Sequence, residues 1–100
     1  MTNAELNGIL ASNKKVMVKL SAPWCGPCRA LATVVEKIAE ERTDVRFVEV
    51  DVEGSPEIAS EYGITSVPTI LFFKNGEAFD MTVGMVTSDR ITGILDRMDE

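Results

Sequence analysis

Two cysteines, Cys25 and Cys28, are the residues of this 100-residue chain best suited to chemistry. They stand three positions apart, with Gly26 and Pro27 between them, just before an amphipathic stretch that predicts a helix. At that spacing the two sulfurs share one helix face, so they can form a disulfide or separate as a thiol and a thiolate. The unpaired N–H groups and the positive dipole end of a helix N-terminus stabilise a thiolate at the first cysteine. Proline suits the first turn of a helix. The motif therefore favours thiol–disulfide exchange.

Two other uses of the cysteine pair remain open from the residues alone, half of a zinc site and an inert structural disulfide. The chain has two cysteines and no histidine, which is too few ligands for a structural zinc site or an iron–sulfur cluster within one chain. An inert disulfide is uncommon in a cytosolic protein. Without histidine, the Ser-His and Cys-His pairs of acyl-transfer hydrolases are also excluded. We therefore expect redox chemistry and no metal.

The composition is typical of one small globular domain, which we expect to span residues 1–100. Hydrophobic residues make up 45% of the chain, and ten lysines and arginines against sixteen aspartates and glutamates leave a net charge of −6. That charge repels phosphate backbones and anionic lipids, so we expect no nucleic-acid or membrane partner. No apolar run approaches the roughly 18 residues of a membrane span, and the first residues do not resemble a signal peptide. We therefore expect a cytoplasmic monomer.

Hydrophobic periodicity predicts the elements that must position the cysteines. A strand over 16–22, a helix over 29–42 and a strand over 45–52 form a βαβ unit with parallel strands and a right-handed crossover. The cysteine motif lies where the first strand ends and the helix begins, which is where open α/β sheets usually place their sites.

The remaining elements are predicted from caps and turns. They are a first helix after Thr2-Asn3-Ala4-Glu5, a short helix from Ser55-Pro56-Glu57 to Tyr62-Gly63, a hairpin of 69–74 and 77–83 around Asn75-Gly76, and a last helix after Thr87 or Ser88. The predicted order is α, β, α, β, α, β, β, α. This predicts an α/β fold, a mixed sheet of about four strands with helices on its faces.

Five segments in this order resemble the thioredoxin family over nearly the whole length. They are Ala22-Pro23-Trp24-Cys25-Gly26-Pro27-Cys28, Tyr62-Gly63-Ile64, Val67-Pro68-Thr69, Phe73-Lys74-Asn75-Gly76 and Val83-Gly84. The resemblance implies the thioredoxin fold and a protein-disulfide reductase. Cys25 is then the exposed nucleophile that attacks a substrate disulfide, and Cys28 is the resolving thiol that leaves a Cys25–Cys28 disulfide. It also implies no bound cofactor, disulfide-containing protein substrates, and electrons supplied by a separate thioredoxin reductase.

The resemblance further implies a substrate groove around the cysteines. Pro68 is expected to follow a cis peptide bond and to pack opposite them, although by itself it would be interpreted as a trans proline opening an edge strand. Trp24 is expected to shield the thiol and offer a contact surface. Extended peptide segments would dock through backbone hydrogen bonds. The implied groove residues are Trp24, Gly26, Pro27, Ser66, Val67, Pro68, Gly84 and Met85.

Two charged residues depart from the family pattern. Lys19 stands where the family usually carries a buried aspartate behind the cysteines, and Glu49 stands at the position of its usual lysine partner. An unpaired charge on a central strand costs several kcal/mol, so we predict an ion pair of inverted sign, the alternative being that the side chains reach solvent. A cationic Lys19 near Cys28 would favour its thiolate, whereas a neutral Lys19 or the Glu49 carboxylate could accept its proton.

The first strand begins too early in the chain to leave room for both a helix and the extra N-terminal strand of the family. We therefore expect four strands, with the second one left at an edge of the sheet. Two functions besides the reductase stay open: an oxidase or isomerase with the same chemistry, and a thioredoxin-like binding subunit of a larger assembly.

Overall fold

A four-stranded mixed sheet lies at the centre of the computed structural model, which describes residues 1–100. The elements are α1 (Asn3–Ser12), β1 (Lys15–Ser21), α2 (Gly26–Glu41), β2 (Arg46–Asp51), α3 (Pro56–Glu61), β3 (Thr69–Lys74), β4 (Glu77–Val83) and α4 (Ser88–Met98). The strand order is β2-β1-β3-β4, with β1 parallel to β2 and antiparallel to β3, and β3 antiparallel to β4. The predicted order of elements and the edge position of β2 are confirmed.

Strand β1 is central because both of its faces are covered. Side chains alternate between the faces of a strand, so Val16, Val18 and Leu20 share one face while Met17 and Lys19 share the other. The first face packs with α1 and α3, and the second packs with α2 and α4. Every residue from Val16 to Ser21 is buried. Lys19 therefore projects toward the layer that contains α2, the helix on which Cys28 lies.

Helix α2 begins at Gly26, three residues before the predicted start, because Cys25 itself is the N-cap. The cysteine motif is thus part of the first turn of the helix, and Pro27 occupies the position where its missing N–H costs no hydrogen bond. Thr2 forms a full capping box with Glu5, and Thr87 caps α4. The helices α1 and α4 therefore start as the side chains predict.

Helix α3 shows one difference from the predicted caps. Ser55 is the N-cap residue, but its hydroxyl makes no capping hydrogen bond. Instead Ser55 Oγ accepts a hydrogen bond of 2.6 Å from the N-terminal amino group of Met1. A contact over 54 positions of the chain replaces the local one, and it ties the N-terminus to the start of α3.

The hairpin between β3 and β4 has the predicted tight turn. Asn75 has a φ of 53° and Gly76 a φ of 81°, the two positive values that a type I′ turn requires. The turn places β4 beside β3 in an antiparallel pair. Gly84, which follows β4, therefore lies at the same end of the sheet as the start of β3. The loop before β3 and the residue after β4 therefore meet near the cysteine end of the molecule.

Candidate active site

Cys25 and Cys28 form a disulfide between the end of β1 and the first turn of α2. Their Cα atoms are 5.3 Å apart. Only residues 22–25 connect the strand to the helix, and the N–H of Cys25 donates to the carbonyl of Ala22 at 3.1 Å. This short, hydrogen-bonded turn fixes both sulfurs at the N-terminus of a 16-residue helix.

The sulfur of Cys25 occupies the position of a helix-capping acceptor. Its Sγ accepts a hydrogen bond of 3.2 Å from the backbone N–H of Cys28. The first N–H groups of a helix have no partner within the helix, and they carry its positive dipole end. An N–H group and a dipole end in this arrangement favour a thiolate, and a thiolate is the attacking species in thiol–disulfide exchange.

Both cysteines are buried in the disulfide form. Cys25 is 4% exposed and Cys28 3%, so the expectation of an exposed Cys25 is wrong for this oxidised state. The disulfide packs with Ala22, and the side chains of Val52 and Val67 lie against this cluster. Trp24, Gly26 and Pro27 around it are exposed. The disulfide therefore lies directly beneath a surface that a partner protein can contact.

The loop before β3 lies against the cysteines and contains a cis peptide bond. The bond between Val67 and Pro68 is cis, as the resemblance implied, and Val67 packs against the cysteine cluster. The N–H of Gly84 donates to the carbonyl of Pro68 at 2.8 Å, and the Thr69 hydroxyl donates to the carbonyl of Ser66 at 2.7 Å. These hydrogen bonds fix the loop and join it to the residue after β4.

A cleft of about 440 Å³ contains part of the predicted groove. Trp24, Ser66 and Val67 line it, whereas Pro68 is buried and Gly26, Pro27, Gly84 and Met85 do not form its wall. Met85 is 52% exposed beyond the end of β4. The prediction missed four lining residues, which are Val52, Ala59, Ile64 and Thr65. Of these, Ile64 belongs to a segment that carried the family resemblance, so that segment could have indicated it.

Trp24 is 66% exposed, yet its indole ring is held by a hydrogen bond. Its Nε1–H donates a hydrogen bond of 2.6 Å to Oε1 of Glu53, which follows β2. This contact holds a large aromatic surface beside the disulfide. Sequence reasoning missed Glu53, because no spacing signal connects it with a tryptophan 29 positions earlier.

Lys19 and Glu49 form the predicted ion pair. They are neighbours in the parallel register of β1 and β2, and Lys19 Nζ lies 3.6 Å from Glu49 Oε1. The Ser21 hydroxyl donates to the same oxygen at 3.0 Å. The Lys19 side chain is 4% exposed and that of Glu49 is 64% exposed. Only the carboxylate thus reaches solvent.

A cleft of about 280 Å³ lies beside this pair and is lined by Cys28 as well. The polar or charged side chains in its wall are those of Lys19, Ser21, Cys28, Arg29, Glu49 and Asp51. The structure contains no group of three or more histidine, cysteine, aspartate or glutamate side chains that could hold a metal ion. None of its helices is both long enough and apolar enough to cross a membrane.

The family model and the relatives that match this sequence are described as thioredoxins. A family model described as Thioredoxin matches residues 1–97. The thioredoxin of Mycoplasmoides gallisepticum is 42% identical over 92 residues, which cover 92% of each chain. Thioredoxin 1 of Synechococcus elongatus is 43% identical over 90 residues, which cover 89% of this chain and 84% of that protein.

Solved structures agree with these sequence matches. A mutant thioredoxin from Halobacterium salinarum NRC-1 matches with a TM-score of 0.91 and 35% identity, covering 98% of this chain and 86% of that one. Oxidised mitochondrial thioredoxin 3 from Saccharomyces cerevisiae matches with a TM-score of 0.89 and 33% identity, covering 95% and 90%.

Proposed function

We propose that this chain, which belongs to the thioredoxin family and is a protein-disulfide reductase, uses Cys25 as its attacking thiol and Cys28 as its resolving thiol. The observation that carries this assignment is the hydrogen bond from the Cys28 N–H to Cys25 Sγ. It places the first sulfur, and not the second, at the position where the helix end stabilises a thiolate.

The reaction begins from the dithiol form. The Cys25 thiolate attacks one sulfur of a substrate disulfide, a mixed disulfide forms, and the other substrate sulfur leaves as a thiolate. Cys28 then loses its proton and attacks Cys25 Sγ, which releases the second substrate thiolate. Two electrons pass from the protein to the substrate, and the product is the Cys25–Cys28 disulfide, the state of this structure.

Substrate is held as an extended segment along the loop before Pro68. Neither the N–H nor the carbonyl of Val67 has a hydrogen-bond partner within the chain, so both can pair with a peptide backbone. Trp24 and Ser66 line the neighbouring cleft. Gly84 and the exposed Met85 border the same loop on its other side, because Gly84 is bonded to Pro68.

Electrons return to the Cys25–Cys28 disulfide from a separate thioredoxin reductase, and the chain acts as one domain, residues 1–100, in the cytoplasm as a monomer without nucleic-acid or membrane partners. The net charge of −6 supports the last two points. One matching structure, 32% identical with a TM-score of 0.87, concerns the thiol resolving mechanism of a yeast mitochondrial 1-Cys peroxiredoxin via glutathione/thioredoxin systems. Oxidised peroxiredoxins are therefore one class of substrate to test.

The named relatives are thioredoxins, which favours the reductase over an oxidase, an isomerase or a binding subunit. The test is insulin disulfide reduction by dithiothreitol with wild type, Cys25→Ser and Cys28→Ser. Ser60→Ala, an exposed position on α3, is the control and should match wild type. Both cysteine variants should fall to the thiol background.

The same variants also test the roles of the two cysteines. When the variants are first reduced and then freed of dithiothreitol, Cys28→Ser should accumulate a mixed disulfide with the substrate on a non-reducing gel, because no second thiol resolves it, while Cys25→Ser should not. Trapping by Cys25→Ser instead would reverse the roles, and a wild type no faster than dithiothreitol alone would refute the proposal.

A further inference from the structure

Lys19 is a buried cation in the cleft that Cys28 lines, and the exchange reaction above makes no use of it. We propose that Lys19 stabilises the Cys28 thiolate of the reduced protein and that Glu49 weakens this effect, so that the pair sets the balance between the dithiol and disulfide forms. The inference rests on the proposed roles of Cys25 and Cys28. Lys19 and Glu49 are positioning residues, because they act through the resolving thiol Cys28.

The ammonium group of Lys19 has more hydrogen-bond donors than partners. It carries three N–H donors, and its single ion-pair partner is Glu49 Oε1 at 3.6 Å, which is longer than a hydrogen bond. That oxygen already accepts a hydrogen bond from the Ser21 hydroxyl. Because the Glu49 side chain is 64% exposed, water screens its charge. The positive charge of Lys19 is thus only partly neutralised.

Lys19 also differs from the other charged groups around Cys28 in its burial. Arg29 and Asp51 line the same cleft, and Glu36 lines an adjoining pocket with Lys19 and Glu49. Arg29, Glu36, Glu49 and Asp51 are all exposed, whereas the Lys19 side chain is 4% exposed. Charges interact more strongly where water is excluded. Lys19 is therefore the buried charge among the residues that line this cleft with Cys28.

The effect acts on one redox state only. In the disulfide form Cys28 has no charge, so Lys19 gains nothing from it. On reduction, the disulfide takes up two electrons, the bond between the two sulfurs breaks, and the Cys28 thiolate left behind shares the cleft with the Lys19 cation. The reduced form is stabilised, the reduction potential becomes less negative, and more of Cys28 is in the form that attacks the mixed disulfide.

Two measurements on the full-length protein test this inference. The first is the dithiol–disulfide equilibrium against a reference redox buffer. The second is the thiolate absorbance near 240 nm as a function of pH in a Cys25→Ser background, where Cys28 is the only thiol.

Opposite charge removals should move both readouts in opposite directions. Lys19→Met should shift the Cys28 titration to higher pH and the equilibrium about tenfold toward the disulfide, which is about 30 mV more negative. Glu49→Gln keeps an oxygen acceptor for Ser21 but removes the negative charge, so it should shift both the other way. Lys37→Met, which removes an exposed charge elsewhere on α2, should leave both at wild-type values.

Shifts of the same sign for Lys19→Met and Glu49→Gln, or wild-type values for both, would overturn the inference. Because Glu49 is exposed, Lys19→Met leaves no buried charge behind and should fold. If it does not, Glu49→Gln still decides the question through the sign of its shift. Lys19→Arg, which keeps the positive charge, should return the Cys28 titration and the dithiol–disulfide equilibrium toward their wild-type values. Insulin reduction that still depends on Cys25 would show that the proposed function stands even where the inference fails.

Discussion

Exchanging the charges of Lys19 and Glu49 should cost less stability than reversing either charge alone. The three variants are Lys19→Glu, Glu49→Lys and the double exchange. Each single reversal places two like charges at neighbouring positions of β1 and β2, and in each case the one at position 19 is buried. The double exchange restores an attractive pair with the same register.

The expected coupling follows from the distance and the exposure of the pair. Two unit charges 3.6 Å apart interact by about 1 kcal/mol in water and between about 4 and 5 kcal/mol at an effective dielectric constant of 20. Because the Glu49 side chain is 64% exposed, the value near 1 kcal/mol applies. A double-mutant cycle compares the wild type and the double exchange, in which the pair attracts, with the two single variants, in which it repels. The coupling free energy therefore contains this interaction energy four times. We therefore expect a coupling free energy of about 4 kcal/mol, and a loss of about 2 kcal/mol from the pair in each single variant.

Urea unfolding of the four proteins at pH 7 measures this coupling. It should shrink in 1 M salt, where the Debye length is about 3 Å. The control cycle combines Lys37→Glu with Glu49→Lys and should be additive, because Lys37 makes no ion pair. Additivity within about 0.5 kcal/mol for Lys19 and Glu49 as well would refute the pairing argument.

Three further predictions concern the scaffold. Hydrogen bonds from Arg42 and Lys15 hold the pKa of Asp44 well below its usual value of 3.8, so its stabilisation is complete above about pH 5 and is lost as the pH falls further. Asp44→Asn should therefore lower the free energy of unfolding at pH 7 and flatten its decline toward pH 2 in urea titrations; a parallel curve would contradict this. Thr2→Ala removes the cap of α1 and should cost about 1 kcal/mol in urea unfolding, with no loss expected if the cap is idle. Gly76→Ala meets no clash but needs a φ of 81°, so it should cost about 1 to 2 kcal/mol by the same measurement while insulin reduction stays at the wild-type rate.

Features that depend on near neighbours in the chain could be predicted from the sequence. The capping box at Thr2 and Glu5, the cap at Thr87 and the turn at Asn75 and Gly76 each rest on side chains a few positions apart. Their physical causes are local hydrogen bonds and local φ preferences, which tertiary packing did not override here. The parallel pairing of β1 with β2 and the hairpin of β3 and β4 followed from these elements, whereas the edge position of β2 followed from the family resemblance.

Features that depend on packing between distant segments could not be predicted. Ser55 has the side chain of a cap, but its hydroxyl accepts a hydrogen bond from the amino group of Met1 and none from the helix. The burial of Cys25 depends on Val67, which folds over the disulfide from 42 positions away. The tether between Trp24 and Glu53 has the same character. In each case the partner is set by the tertiary fold and not by a spacing in the sequence.

The incomplete neutralisation of Lys19 follows from the position of β2 in the sheet. An edge strand carries unpaired backbone groups that invite pairing with another chain, and exposed charges discourage this. Arg46, Glu49 and Asp51 are the exposed residues of β2, so Glu49 belongs to this protection as well as to the ion pair. Because the Glu49 carboxylate is exposed to water at this edge strand, its charge is screened and it neutralises the buried Lys19 only in part. The edge position of β2 thereby leaves part of the Lys19 charge available to the resolving thiol.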